Sequence, residues 1–137
     1  MIPYGRQDIT QEDIDSVIEV LQSDFLTQGP QVPAFETSIQ EYCGVDYALA
    51  VNSGTSALHI ACLALGIGPG DEVWTSPITY VASANCARYC GASVDFVDID
   101  PRTYNMSVEL LAHKLKERKD SNGRLPTAVI PVHLCWQ

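Results

Sequence analysis

The sequence predicts an α/β fold with a parallel-sheet core and helices on both faces. Strand-like apolar runs alternate with helix-period segments four times along the chain, the pattern of successive strand and helix units. The run Thr127 to Val132 is apolar throughout, typical of a buried parallel strand. Between Tyr47-Ala48-Leu49-Ala50-Val51 and a nearly continuous Ala, Leu, Ile and Cys segment lies Asn52-Ser53-Gly54, which reads as strand, tight turn and buried helix.

The elements follow in order. Residues 1–7 form an irregular arm carrying Pro3, Tyr4, Gly5 and Arg6. A helix starts at Thr10, where Thr10 and Asp13 have the spacing of a capping box, and Ile14, Val17, Ile18 and Leu21 make one apolar stripe. Leu26-Thr27-Gln28-Gly29-Pro30 breaks that period and forms a turn. A second helix runs from about Pro33 to Tyr42, with Phe35, Ile39 and Tyr42 on one face, and Gly44 closes it. The first predicted strand is Tyr47 to Val51, followed by the helix that Asn52 and Ser53 cap. Glycines 66, 68 and 70 end that helix, and Glu72 to Thr75 is the second strand. Ser76-Pro77 leads into a helix from about Thr79 to Cys90, whose Ala82, Ser83, Ala84 and Ala87 allow close approach to a sheet. Val94 to Val97 is the third strand, Asp98 to Asn105 a polar turn, and Ser107 the cap of a helix with Val108, Leu111 and Leu115 inward. Lys119 to Arg124 is a loop before the fourth strand, Thr127 to Val132. The organisation is thus an arm with two helices over residues 1–45 and a sheet-containing domain over residues 46–137.

Composition narrows the function classes. With 137 residues, 46% of them hydrophobic, the chain can bury a core. A net charge of −9 argues against nucleic-acid binding, which needs a basic surface. No apolar run approaches a membrane span, and a basic region followed by a hydrophobic one is missing at the N-terminus, so a cytoplasmic protein with no membrane partner is expected. The five cysteines, an odd number without paired CxxC units, point away from a disulfide framework and from zinc. Cys43 and Cys62 are expected to be buried as small hydrophobes, and Cys86 and Cys90 to share a helix face.

In parallel sheets ligands bind outside the carboxyl ends of the strands. Asn52 to Ser56, Ser76 to Tyr80 and His133 to Gln137 lie there. The first amides of the helix after Ser53 have no partner within the helix, and Gly54 permits close approach. An anion, best a phosphate, fits in front of them; the alternative is an ordinary cap. Tyr80 either offers a flat aromatic face at the mouth or packs against Trp74 or Phe96. His133 is a base, a ligand or a hydrogen-bonded structural residue. Asp95, Asp98 and Asp100 read as a solvated turn and not as a metal site, because no supporting His or Glu follows.

Several stretches together resemble the N-terminal part of the DegT/DnrJ family of sugar aminotransferases. They are Leu26-Thr27-Gln28-Gly29-Pro30, Val51 to Leu58, Ser76 to Asn85, Val97-Asp98-Ile99-Asp100-Pro101 and Pro131-Val132-His133-Leu134, and they span essentially the whole chain. The resemblance implies the N-terminal portion of the fold-type-I large domain, with pyridoxal 5'-phosphate as cofactor. It is greatest to enzymes of the pseudaminic-acid pathway, with spore-coat polysaccharide proteins close by. These imply transfer of an amino group from glutamate to C4 of a nucleotide-linked 4-keto-6-deoxy sugar. The implied roles are residue-specific: Gly54 and Thr55 hold the cofactor phosphate through their amides, and Tyr80 stacks on its ring. Tyr4, Asp24, Phe25, Leu26 and Thr27, together with Gly54, line the nucleotide-sugar site, and the protein is a homodimer.

The resemblance also implies a lysine for covalent attachment of the cofactor and a carboxylate for its ring nitrogen, both beyond the position of Gln137. Lys114, Lys116 and Lys119 sit on a polar helix end and loop and do not substitute, so no catalytic residue is assigned. Trp136 stands where the family has glycine. The chain is therefore expected to be a truncated piece, inactive alone. The other reading is a non-catalytic chain of the same ancestry that binds or dimerises only. In the implied fold the third, second and fourth predicted strands are adjacent in that order, with the first set apart.

Overall fold

The computed structural model describes residues 5–134. Tyr4 and Trp136 lie outside the described residues. The chain divides into two compact units between Ala50 and Val51.

The first unit contains α1 (Gln11–Gln22) and α2 (Gln31–Cys43). The capping box forms: the Thr10 hydroxyl accepts from the Asp13 amide, and the Asp13 carboxylate accepts from the Thr10 amide at 2.7 Å. Gly44 takes the left-handed conformation, φ 64°, that stops α2. In the turn between the helices, a Cβ on Gly29 would come within 2.9 Å of the Phe25 carbonyl oxygen, so only glycine closes it. The apolar stripe of α1 is present as a face, but Ile14, Val17, Ile18 and Leu21 all remain exposed. Cys43 is exposed too, against the expectation of burial, because α2 buries none of its residues among those described.

Tyr47 to Val51 forms no strand. A strand exists only where a ladder partner satisfies its backbone, and here Tyr47 is 90% exposed. The Ala50 amide donates instead to the Glu36 carboxylate, at 2.8 Å.

The second unit holds α3 (Gly54–Ala64), β1 (Glu72–Thr75), α4 (Ala82–Tyr89), β2 (Ser93–Phe96), α5 (Val108–Asp120) and β3 (Ala128–Ile130). The strands form a parallel sheet in the order β2-β1-β3, the expected adjacency of the last three predicted strands. Val73 stands opposite Val94 on one side and Ala128 on the other. Strand residues alternate between the two faces. Val73 packs with Cys62 of α3 and with Cys86 and Ala87 of α4, whereas Trp74 packs with Leu111 and Leu115 of α5. Helices therefore cover both faces, α3 and α4 on one and α5 on the other.

Two details differ from the sequence reading. The helix after β1 begins at Ala82, not at Thr79, because the Ser83 amide bonds the Tyr80 carbonyl three residues back and makes a turn first. Ser107 caps α5 as expected, accepting from the Leu110 amide at 3.2 Å, and Leu111 and Leu115 face the core. Val108 does not: it is 78% exposed and lies outside the cluster that Leu111 and Leu115 join.

A charge network ties α5 to the sheet. Lys114 Nζ lies 2.7 Å from Asp95 and donates to the Phe96 carbonyl, while Arg118 bridges Glu72 at 2.8 Å and Asp95 at 3.3 Å. Asp95 is thus a strand residue held by cations, not part of the solvated turn. Burial works to raise its pKa, but the Lys114 hydrogen bond, the Phe96 amide and the charges of Lys114 and Arg118 outweigh it and hold the carboxyl below its ordinary value. A depressed carboxylate contributes stability above its unfolded pKa and loses it as pH falls through the folded value. Denaturant midpoints should therefore drop below about pH 4. Asp95→Asn should flatten that part of the profile; an unchanged profile would show that Asp95 is not coupled to folding.

Candidate active site

Two segments meet the requirements for a ligand site at the carboxyl end of the sheet. α4 starts just past the end of β1, and α3 finishes one loop before β1 begins, so both helices run back along the strands and present their N-termini at the same end. They also pack beside each other over Val73.

At the N-terminus of α3 the cap is more elaborate than the sequence suggested. Ser53 is the cap residue, and its hydroxyl accepts from the Ser56 amide at 3.2 Å. The Ser56 hydroxyl donates to the Asn52 side-chain oxygen at 2.7 Å and lies 3.0 Å from the Ser53 hydroxyl. The Ala57 amide reaches the Ser53 carbonyl. Ser56 was not singled out from the sequence; its place three residues after a serine cap was the available signal. These groups saturate one another. Among the described residues the amides of Gly54 and Thr55 and the Thr55 hydroxyl have no partner. They are what the helix end has left to offer.

Two further observations fit an anion there. The first turn of α3, like those of α2 and α4 and unlike those of α1 and α5, carries no acidic residue, so nothing of its own neutralises the helix dipole. A Cβ built on Gly54 meets no heavy atom within 4 Å, and its backbone is not left-handed. Among the described residues neither packing nor conformation requires glycine at this position. The free amides and the open space fit a phosphate held close to the backbone, such as that of pyridoxal 5'-phosphate.

Tyr80 projects from the β1–α4 connection and is 76% exposed. It belongs to neither core cluster, the one built around Trp74 included. Just before it Ser76 is fully buried, and its hydroxyl has no partner among the described residues. His133 is exposed beyond β3. In the following turn of the chain after β2, Asp98 accepts from the Ile99 amide, and Asp100 is held at about 2 by hydrogen bonds from the Arg102 side chain and amide. The Cys62 thiol is pushed up to about 12 by burial, reinforced by Cys86 and Cys90, which keeps it protonated and structural.

Gly54, Thr55 and Tyr80 thus belong to one unit. Asp24, Phe25, Leu26 and Thr27 belong to the other, in the exposed turn after α1. The three lysines, Lys114, Lys116 and Lys119, are all on α5, across the sheet from α3 and α4. Lys114 is committed to Asp95 and lies 4.6 Å from the Trp74 ring centre.

Comparison with known proteins adds to this geometry. Residues 7–137 match the family model described as the DegT/DnrJ/EryC1/StrS aminotransferase family. GDP-perosamine synthase of Caulobacter vibrioides is 43% identical over 124 residues, covering 90% of this chain and 32% of the relative. Among solved structures, Helicobacter pylori PseC, an aminotransferase involved in the biosynthesis of pseudoaminic acid, superposes with a TM-score of 0.81 at 32% identity, covering 96% of this chain and 34% of that one. The PLP form of Spr1654 from Streptococcus pneumoniae gives 0.80 at 32% identity, over 97% and 32% of the respective chains. The chain spans about one third of the length of the relatives it matches.

Proposed function

Since the chain belongs to the DegT/DnrJ/EryC1/StrS aminotransferase family, we propose that it forms part of a pyridoxal-phosphate-dependent sugar aminotransferase. The proposed reaction moves an amino group from glutamate to C4 of a nucleotide-linked 4-keto-6-deoxy sugar. The observation that carries the reading is the pair of unpartnered amides at Gly54 and Thr55, in front of open space at the carboxyl end of the sheet. When bound, pyridoxal phosphate supplies the electron sink that amino-group transfer needs.

Each residue then has a physical task. The amides of Gly54 and Thr55 and the Thr55 hydroxyl bind the phosphate. The exposed Tyr80 ring covers one face of the cofactor. Tyr4 and Asp24 to Thr27 line the sugar-nucleotide site, and residues 46–137 belong to the cofactor-binding large domain. The homodimer implied by the resemblance and the cytoplasmic location expected from the sequence belong to the same proposal. The covalent anchor comes from a lysine outside these 137 residues; the placement of Lys114, Lys116 and Lys119 on the far side of the sheet supports this.

The test is amino transfer by the protein as its source produces it, given pyridoxal phosphate, glutamate and a nucleotide-linked 4-keto-6-deoxy sugar. Formation of 2-oxoglutarate and of a 4-amino sugar, identified by mass spectrometry and NMR, is expected. No transfer to any such keto sugar would overturn the proposal. The 137 residues alone should not transfer, and enzyme-like rates from them would refute the placement of the lysine.

A further inference from the structure

Tyr80 is an exposed aromatic side chain with no place in either core cluster, so the direction of its Cα–Cβ bond rests on the backbone of its turn. That backbone is held in an unusual way. α4 has no side-chain cap at Val81. Instead the hydroxyls of Thr79 and Ser83 meet at 2.9 Å, across the turn that contains Tyr80. The Ser83 amide also donates to the Tyr80 carbonyl at 3.0 Å, and the Ala84 and Asn85 amides to the Val81 carbonyl. Ser83 is only 8% exposed and Thr79 half-buried, so the clamp is largely shielded from solvent while the ring is exposed.

We infer that Thr79 and Ser83 are positioning residues for Tyr80: their hydroxyl pair locks the β1–α4 turn so that the ring is preformed as a flat face for a heteroaromatic ligand. The inference rests on the reading that Tyr80 stacks on the cofactor ring. A turn already held in the geometry that aims the Tyr80 Cα–Cβ bond at the ligand leaves only the side-chain rotation to be lost on binding, and that saving appears as affinity. Thr79 is suited to the task because its hydroxyl lies within the turn and needs no strain to reach Ser83, four residues on.

The experiment uses the protein as its source produces it, with Thr79→Val, Thr79→Ser, Ser83→Ala, the Thr79→Val/Ser83→Ala double variant, and Tyr80→Ala. Three quantities are measured: the dissociation constant for pyridoxal phosphate, the induced circular dichroism of the bound cofactor, and the denaturant midpoint without cofactor. Thr79→Val keeps the shape and removes the hydroxyl, so affinity should fall roughly threefold to tenfold, the scale of one net hydrogen bond, with an altered dichroic band. Thr79→Ser should restore both. The double variant should lose no more than either single one, because the same hydrogen bond is removed in each. In a Tyr80→Ala background, Thr79→Val should have no further effect on affinity.

The failures are distinguishable. If Tyr80→Ala itself leaves affinity and dichroism unchanged, the stacking reading falls and the inference with it. If Tyr80→Ala moves both but neither Thr79→Val nor Ser83→Ala does, stacking stands and the inference is overturned. A lowered denaturant midpoint with unchanged cofactor parameters would make the pair a structural cap only. Should Thr79→Val fail to fold, Ser83→Ala carries the same comparison.

Discussion

Trp74→Ala is expected to lower the folding stability by about 3–5 kcal/mol, the scale of a large aromatic truncated in a core. The indole is fully buried and packs with Val97, Met106, Leu111, Leu115 and Val129, joining β1 to β3 and to α5. Its N–H donates to the Glu72 carboxylate, and Lys114 and Arg118 lie over the ring at 4.6 and 5.6 Å. Removing it opens a cavity and strips two cations of their aromatic face. Trp74→Phe should recover most of the loss and leave about 1 kcal/mol for the missing N–H bond. The check is a denaturant midpoint with an unchanged slope. A loss below about 1 kcal/mol for Trp74→Ala would contradict the packing described, since it would be no larger than one missing hydrogen bond. Tyr80→Ala is the contrast: an exposed ring outside both clusters should change stability by less than about 0.5 kcal/mol.

Gly54→Val is expected to weaken pyridoxal phosphate binding by about 3–6 kcal/mol, or a hundredfold and more, without destabilising the fold. Two hydrogen bonds from amides to a charged phosphate are each worth about 1.5–3 kcal/mol, and an isopropyl group in the open space before Gly54 excludes the acceptor from both. The fold should tolerate the change because the Cβ meets no heavy atom within 4 Å and the backbone conformation suits any residue. Equilibrium dialysis of the cofactor against the variant, together with its denaturant midpoint, makes the measurement. Unchanged affinity would remove Gly54 from the site. A large loss of stability would mean that glycine is needed for folding and not for the ligand.

The two sites differ in how far the sequence revealed them. The N-terminus of α3 was legible because capping is local: a serine followed by glycine before an apolar run specifies both the helix start and its free amides. The participation of Ser56 in that cap was not evident, since a hydroxyl at that position bonds inward or outward depending on the rotamer. For Tyr80 the sequence left core and mouth equally open. The structure buries Trp74 against β3 and α5 and leaves Tyr80 exposed in the turn, outside both core clusters. The Thr79–Ser83 clamp became visible only when α4 was found to begin at Ala82.

The sequence by itself determined the features whose physics spans a few residues: the Thr10–Asp13 capping box, the left-handed stop at Gly44, the Ser107 cap, and the alternation of strand and helix segments from β1 onward. Each is settled by groups close along the chain. Only the tertiary structure decided that Tyr47 to Val51 forms no strand, that Val108 and Cys43 face outward, and that Asp95 is drawn into a network with Lys114 and Arg118. Those outcomes depend on a partner distant in sequence. A strand needs a ladder beside it, an apolar side chain needs a surface against it, and a carboxylate takes its pKa from the cations that packing brings within reach.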